Sequence, residues 1–209
     1  SWRSITMRRK QGQSKTLSSA EINRVMKYQD METHGFRNKS CLMFSFGLGM
    51  RVSEIASLSV QDVLNQDGSL KDVITLRKEN TKGNKTRQIP FVHKKVISVL
   101  KEYLEFRKEN NDNEPLDMQS PLFVSQRNGR FSRQTMSELF KVMFRKVGLS
   151  EECSSHSGRR TWISNLIADG YDMKSVSHLA GHSSIRTTID VYAKTNPQNL
   201  STICKNVRI

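Results

Sequence analysis

Apolar residues recur along most of this chain at the three- to four-residue spacing of helices, and in two places at the spacing of strands. Ser18 and Glu21 stand three apart, the spacing of a capping box, just ahead of Ile22, Val25 and Met26. That pattern predicts a first helix over 18–32. Residues 39–49 are almost continuously apolar (Leu42, Met43, Phe44, Phe46, Leu48), so this second helix is expected to be buried on all sides. Gly47 and Gly49 loosen its end just before Arg51. Residues 94–108 carry a stripe of Val96, Ile97, Leu100 and Leu104. Ser132 is placed to cap another helix, with Met136, Leu139, Phe140, Met143 and Phe144 along one face. The last third predicts three more. One follows Ser157, carries Trp162, Ile163, Leu166 and Ile167, and stops at Gly170. A second covers 173–180 and is stopped by Gly181. The third begins near Ser183 or Ser184, includes Ile185, Ile189 and Tyr192, and is limited by Pro197.

Residues 73–76 and 86–89 are short β-type runs. Lys82-Gly83-Asn84-Lys85 lies between them, and its Gly and Asn suit the positive φ angles of a tight turn, so a hairpin with a basic tip is expected. Residues 109–120 read as a polar loop and 121–124 as a further short strand. The fold class is therefore α+β, mainly α-helical with a small antiparallel sheet. Residues 1–15 read as a basic arm or linker, and no linker divides 16–209.

Charge sharpens this picture. Of 209 residues, 34 are Lys or Arg and 20 are Asp or Glu, a formal charge of +14. Such an excess points to a polyanionic partner, nucleic acid ahead of an anionic membrane surface. The longest apolar stretch, 41–50, falls far short of the ~20 residues that cross a bilayer, and residues 1–14 lack an apolar signal core. Cys41, Cys153 and Cys204 are odd in number and widely spaced, forming neither a disulfide framework nor a zinc signature. A reducing, cytoplasmic setting with no membrane and no structural metal is expected.

The residues with chemistry to offer are cations, imidazoles and one tyrosine. Arg51 follows a glycine-containing helix end, and Lys82 and Lys85 sit on the hairpin tip. His156 and Arg159 share a face at a helix start. His182 lies between two short helices, ten residues before Tyr192. Taken singly, each has a bland explanation: a surface cation, an edge-protecting lysine, a junction histidine, a core tyrosine beside Ile185 and Ile189. His34, His93 and His178 read as surface residues. Arg8, Arg9, Lys10, Arg127, Arg130 and Arg133 read equally as DNA-backbone contacts or as solvated surface. If the first group converges, it makes a pocket for one phosphate. No carboxylate cluster for Mg²⁺ accompanies it, which argues against metal-assisted phosphoryl transfer.

Four segments carry a resemblance: GLGMRVSEIASL at 47–58, TKGNKTRQIP at 81–90, HSGRRT at 156–161 and LAGHSSIRTTIDVY at 179–192. In this order they resemble the catalytic domain of tyrosine recombinases, the phage-integrase family, over roughly 16–195. The resemblance implies the recombinase catalytic-domain fold and an active site of Arg51, Lys82, His156, Arg159, His182 and Tyr192, with Glu54 supporting the first arginine from behind. By that resemblance Tyr192 attacks a DNA phosphodiester to give a 3′-phosphotyrosyl link, which conserves bond energy so that neither ATP, metal nor other cofactor is needed. Arg51 and Arg159 would hold the nonbridging oxygens. Lys82 would protonate the departing 5′-oxygen, His156 would help take the tyrosine proton, and His182 would hydrogen-bond the phosphate. Lys85, Arg87 and Arg160 are the expected DNA contacts.

Two places depart from the family pattern: Gly158 and Arg160 stand where Leu and His are common. Gly158 is expected to loosen the packing of that helix start. Arg160 leaves open which arginine faces the phosphate, although the spacing from His156 favours Arg159, and Lys85 competes with Lys82 as general acid. The resemblance further implies a double-stranded recombination site, a homotetramer on synapsed DNA, room for accessory DNA-bending proteins, and a nucleoid-associated place in a bacterial or phage-encoded system. It gives 196–209 the part of a protomer-exchange tail anchored by Leu200, Ile203 and Val207. Residues 1–15 are too short for the family's core-binding domain, so the chain reads as a fragment rather than as a minimal protein. Two competing functions fit the same residues: a type IB topoisomerase-like relaxing enzyme and a non-catalytic DNA-binding relative.

Overall fold

The structure is a computed structural model that describes residues 14–77 and 86–195. The expectations for Lys82, Lys85 and the hairpin tip lie outside the described residues. So do those for the arm up to residue 13 and for the tail from residue 196, including Pro197, Leu200, Ile203, Cys204 and Val207.

In chain order the helices are α1 (Ser19–Tyr28), α2 (Gly35–Leu48), α3 (Val52–Ser57), α4 (Lys94–Glu109), α5 (Arg133–Lys146), α6 (Ser157–Ala168), α7 (Met173–Ala180) and α8 (Ile185–Thr195). Strands β1 (Val73–Leu76) and β2 (Arg87–Pro90) pair antiparallel, with Ile74 opposite Ile89. The mainly helical α+β class is therefore observed. The capping box at Ser18 and Glu21 forms with both of its bonds, and the Ser132 hydroxyl accepts from the Thr135 N–H as expected of a cap.

Helix α2 runs through the middle and packs on α4 and α6. Its Phe44 is fully buried, with Phe123 edge-on at 5.3 Å and Phe91 at 5.9 Å. A smaller cluster unites the last three helices through Ile163, Val176 and Ala180, flanked by Trp162, Leu166, Ile167 and Val191. The start of the described chain is strapped to α6 and to the turn before it: the Leu17 N–H donates to Thr161 Oγ1 at 3.0 Å, and Lys15 N–H to the Glu152 carbonyl at 2.9 Å.

Several expectations are corrected. α1 ends at Tyr28 and gives way to a 3₁₀ turn, Gln29–Met31. α2 begins at Gly35, four residues early, because polar Arg37 and Asn38 are buried inside it, held by each other and by the Val124 carbonyl. Gly47 lies within α2 rather than loosening its end. Residues 121–124 form no strand. They make isolated bridges, Ser59 to Pro121 and Val124 to Arg130, while Arg107 takes the Pro121 and Leu122 carbonyls at 2.9 and 3.0 Å. Gly158 tightens the fold instead of loosening it: a Cβ there would lie 2.1 Å from Ser45 Oγ, so the missing side chain is what lets α6 close on α2. Among the described residues no helix is long and apolar enough to cross a membrane, and no group of three His, Cys, Asp or Glu side chains could hold a metal ion.

Candidate active site

The site is built from helix ends. α2 stops at Gly49, whose φ of +63° reverses the chain and whose missing Cβ leaves room for the Trp162 ring. Two residues later Arg51 opens α3. Its backbone N–H donates to Glu54 Oε2 at 2.8 Å, and its guanidinium to Glu54 Oε1 at 2.9 Å. Glu54 is fully buried. A buried carboxylate is costly unless paired, and this one is paired twice. Arg87, from β2, donates one terminal nitrogen to both Glu54 oxygens, at 2.9 and 2.8 Å.

Arg87 also donates to the Leu179 carbonyl, from Nε at 3.1 Å and from its other terminal nitrogen at 2.9 Å. It is buried, and its own hydrogen bonds tie β2, α3 and the end of α7 together. Arg87, expected as a DNA contact, has its guanidinium committed here to Glu54 and the Leu179 carbonyl, as a brace.

Arg159 enters from the first turn of α6 and is 6% exposed. It donates to the Gly49 carbonyl at 2.7 Å and the Ala180 carbonyl at 2.5 Å, thus binding the ends of α2 and α7, where helix dipoles favour a cation. Burial, with the charges of Arg51 and Arg87, lowers its pKa to about 9 against the pull of Glu54, so it stays cationic at neutral pH. Arg51, Arg87 and Arg159 thus share one electrostatic neighbourhood with a single carboxylate between them. Three guanidinium groups against one acid leave a surplus of positive charge, suited to an anion. Arg160 is only half-buried and lies within electrostatic reach of His156. Arg159 is the arginine that joins Arg51.

α7 ends at Gly181, φ +64°, and His182 N–H closes the helix by donating to the Ser177 carbonyl at 3.1 Å. This turn sets the half-buried His182 ring beside the arginines. Burial, then Arg159, Arg51 and Arg87, push its pKa down to about 4, so it is neutral at pH 7. His182 Nδ1 lies 2.7 Å from Thr188 Oγ1 on α8. His156, at the start of α6, is exposed overall, and its pKa is lowered by partial desolvation of the ring and then by Arg133, Arg159, Arg51 and Arg160. Tyr192 is buried at 6% exposure, one helical turn beyond Thr188 on α8, which packs on both α6 and α7.

The structure therefore gathers Arg51, Glu54, Arg159, His156 and His182, and places Tyr192 on the helix that clamps His182. Two contributors were missed by sequence reasoning, the bracing role of Arg87 and the Thr188 hydroxyl. Arg87 pairs with a residue 33 positions away, which no local pattern signals. Thr188 stands inside the 179–192 segment, and its four-residue spacing from Tyr192 was the available signal.

The phage integrase family model matches residues 15–199. A tyrosine recombinase XerC of Thermodesulfovibrio yellowstonii is 30% identical over 173 residues, covering 77% of this chain and 55% of that protein. A tyrosine recombinase XerA of Pyrococcus horikoshii is 30% identical over 190 residues, covering 89% and 59%. The chain thus spans little more than half the length of these relatives. Among solved structures, the crystal structure of XerA recombinase shares the fold, with a TM-score of 0.73 at 23% identity over 94% of this chain and 65% of that one. XerH site-specific recombinase bound to its palindromic difH substrate, a post-cleavage complex, gives 0.68 at 21% identity over 92% and 53%.

Proposed function

This chain belongs to the phage integrase family, and from that membership we propose that it is the catalytic domain of a site-specific DNA recombinase, cutting and rejoining duplex DNA through a 3′-phosphotyrosyl intermediate. The observation that carries the reading is the convergence of Arg51, Arg159 and His182 from three helix ends around a surplus of positive charge.

Each group then has a task. Tyr192 Oη attacks phosphorus, a P–Oη bond forms and the P–O5′ bond breaks. The phenolic proton passes toward His156, and Lys82 supplies one to the leaving 5′-oxygen, with Lys85 as the competing donor. Arg51 and Arg159 stabilise the charge that grows on the nonbridging oxygens of the pentacoordinate state. Glu54 fixes Arg51 through the bonds described above, and Arg87 holds Glu54. A 5′-hydroxyl from a second strand later attacks the phosphotyrosine, reversing the chemistry and releasing Tyr192. Because bond energy is conserved in the link, the cycle balances without ATP or metal. Tyr192 is buried in this state, so attack requires the phenol to be uncovered.

Around this centre Lys85 and Arg160 contact the DNA backbone, and four protomers act on two synapsed duplexes. The segment 196–209 docks on a neighbour, and accessory DNA-bending proteins shape the complex. The protein works at the nucleoid. The test uses a pool of nicked duplexes with randomised arms, in which loss of a short 5′-hydroxyl fragment traps any covalent intermediate. Wild-type chain is expected to yield DNA-linked protein, and Tyr192→Phe none. Equal absence of adduct from both would overturn the proposal.

A further inference from the structure

Resting on the reading of His182 as a phosphate ligand, we infer that Thr188 is a positioning residue. Its hydroxyl donates to His182 Nδ1 and so holds the imidazole as the Nε2–H tautomer, with Nε2–H left as the donor for a nonbridging phosphate oxygen.

The argument is one of hydrogen-bond accounting. Thr188 is fully buried, and among the described residues its hydroxyl is partnered by His182 Nδ1, at 2.7 Å. A hydroxyl has one proton to give, and a neutral imidazole has one nitrogen that donates and one that accepts. If Nδ1 carried the proton, the threonine would accept, and its own O–H would be buried with no described acceptor. That arrangement is costly. If the threonine donates, both groups are satisfied and the ring proton must sit on Nε2. A helical threonine has an alternative, since its Oγ1 can bond the carbonyl one turn back. Here the hydroxyl is committed to the imidazole.

The surroundings leave the ring few other choices. His182 N–H is tied to the Ser177 carbonyl and Gly181 is left-handed, so the backbone beneath the ring is fixed. Burial together with Arg159, Arg51 and Arg87 keeps the imidazole neutral at pH 7, and Lys174 and His178 line the surface beside it. A neutral ring donates from one nitrogen only, so its tautomer decides whether it serves an anion or repels one. Thr188 also sits one turn before Tyr192. The same helix therefore carries the nucleophile and the group that orients the phosphate ligand, so both move together.

Two measurements on the full chain test this. The first is a long-range ¹H–¹⁵N correlation spectrum of the imidazoles near pH 7. The expected result is His182 in the Nε2–H form in wild type, and a mixed tautomer in Thr188→Val, which keeps the shape and removes the hydroxyl. The second is the rate of adduct formation on the nicked pool. Thr188→Val is expected to slow it about tenfold, the loss of one ordinary hydrogen bond's worth of alignment. Thr188→Ser should recover most of the rate, and Thr188→Val should have no further effect in a His182→Ala background. The inference is overturned by an Nδ1–H tautomer in wild type, by an unchanged tautomer and rate in Thr188→Val, or by an undiminished effect of Thr188→Val when His182 is absent. A wild-type chain that forms no adduct sinks the recombinase reading, and the tautomer spectrum still decides the role of Thr188.

Discussion

Glu54 shows at single-residue scale how this site is made. One fully buried carboxylate accepts from two guanidinium groups and a backbone N–H. Removing one partner from such a pair leaves an uncompensated buried charge, which costs about 3–5 kcal/mol. Glu54→Gln is expected to lose stability of that order in urea unfolding and to slow adduct formation; a loss below about 1 kcal/mol would show that the pairing is dispensable. The histidines give a pH dependence of definite sign. The His182 pKa lies at about 4, below its usual 6.5, and His156 shifts the same way. The unfolded chain therefore binds protons that the folded chain refuses. Stability from this source is fully present above pH 6.5 and is lost as pH falls toward 4. The urea midpoint should drop over that interval, and less so in His182→Asn; equal drops would place the pH dependence in other groups. The convergence of Arg51, Arg159, His156 and His182 was legible because all four lie within the segments 47–58, 156–161 and 179–192. The brace of Arg87 was not, because a β-strand arginine gives no local sign of whether it meets solvent or a carboxylate across the fold.

Helices and strands were legible where a period or a cap was long enough to repeat. The Met136 to Phe144 stripe and the Ser18 cap are of that kind. α3, six residues long, offers less than two turns of pattern. Residues 121–124 have strand-like composition, but Arg107 captures two of their carbonyls and Pro121 has no N–H, so no ladder grows. Gly158 was misjudged because a glycine's role depends on what lies opposite it. With Ser45 Oγ 2.1 Å from a virtual Cβ and Ser45 Cβ at 2.9 Å, Gly158→Ala should cost about 1–3 kcal/mol by overpacking. Adding Ser45→Ala should restore part of that loss. A neutral Gly158→Ala, read by thermal unfolding, would contradict the close approach of α6 to α2 on which the placement of Arg159 depends.

For the molecule as a whole, a charge of +14 and a cup built at helix ends belong to one design. The large core fixes α2 and α3, the smaller cluster fixes α6, α7 and α8, and the arginines bridge the two. Binding to duplex DNA should weaken by roughly 10³-fold or more between 50 and 200 mM salt if about six phosphates are neutralised. A flat salt response in a mobility-shift titration would argue against backbone contact on that scale. The claim beneath all of this is that Tyr192 takes the DNA 3′-phosphate. The most direct measurement is mass mapping of the trapped species after digestion of both protein and DNA. The account predicts a nucleotide joined through its 3′-phosphate to Tyr192, on the tryptic peptide 187–194. A nucleotide on Tyr171 or any other side chain, or one held through its 5′-phosphate, would contradict it.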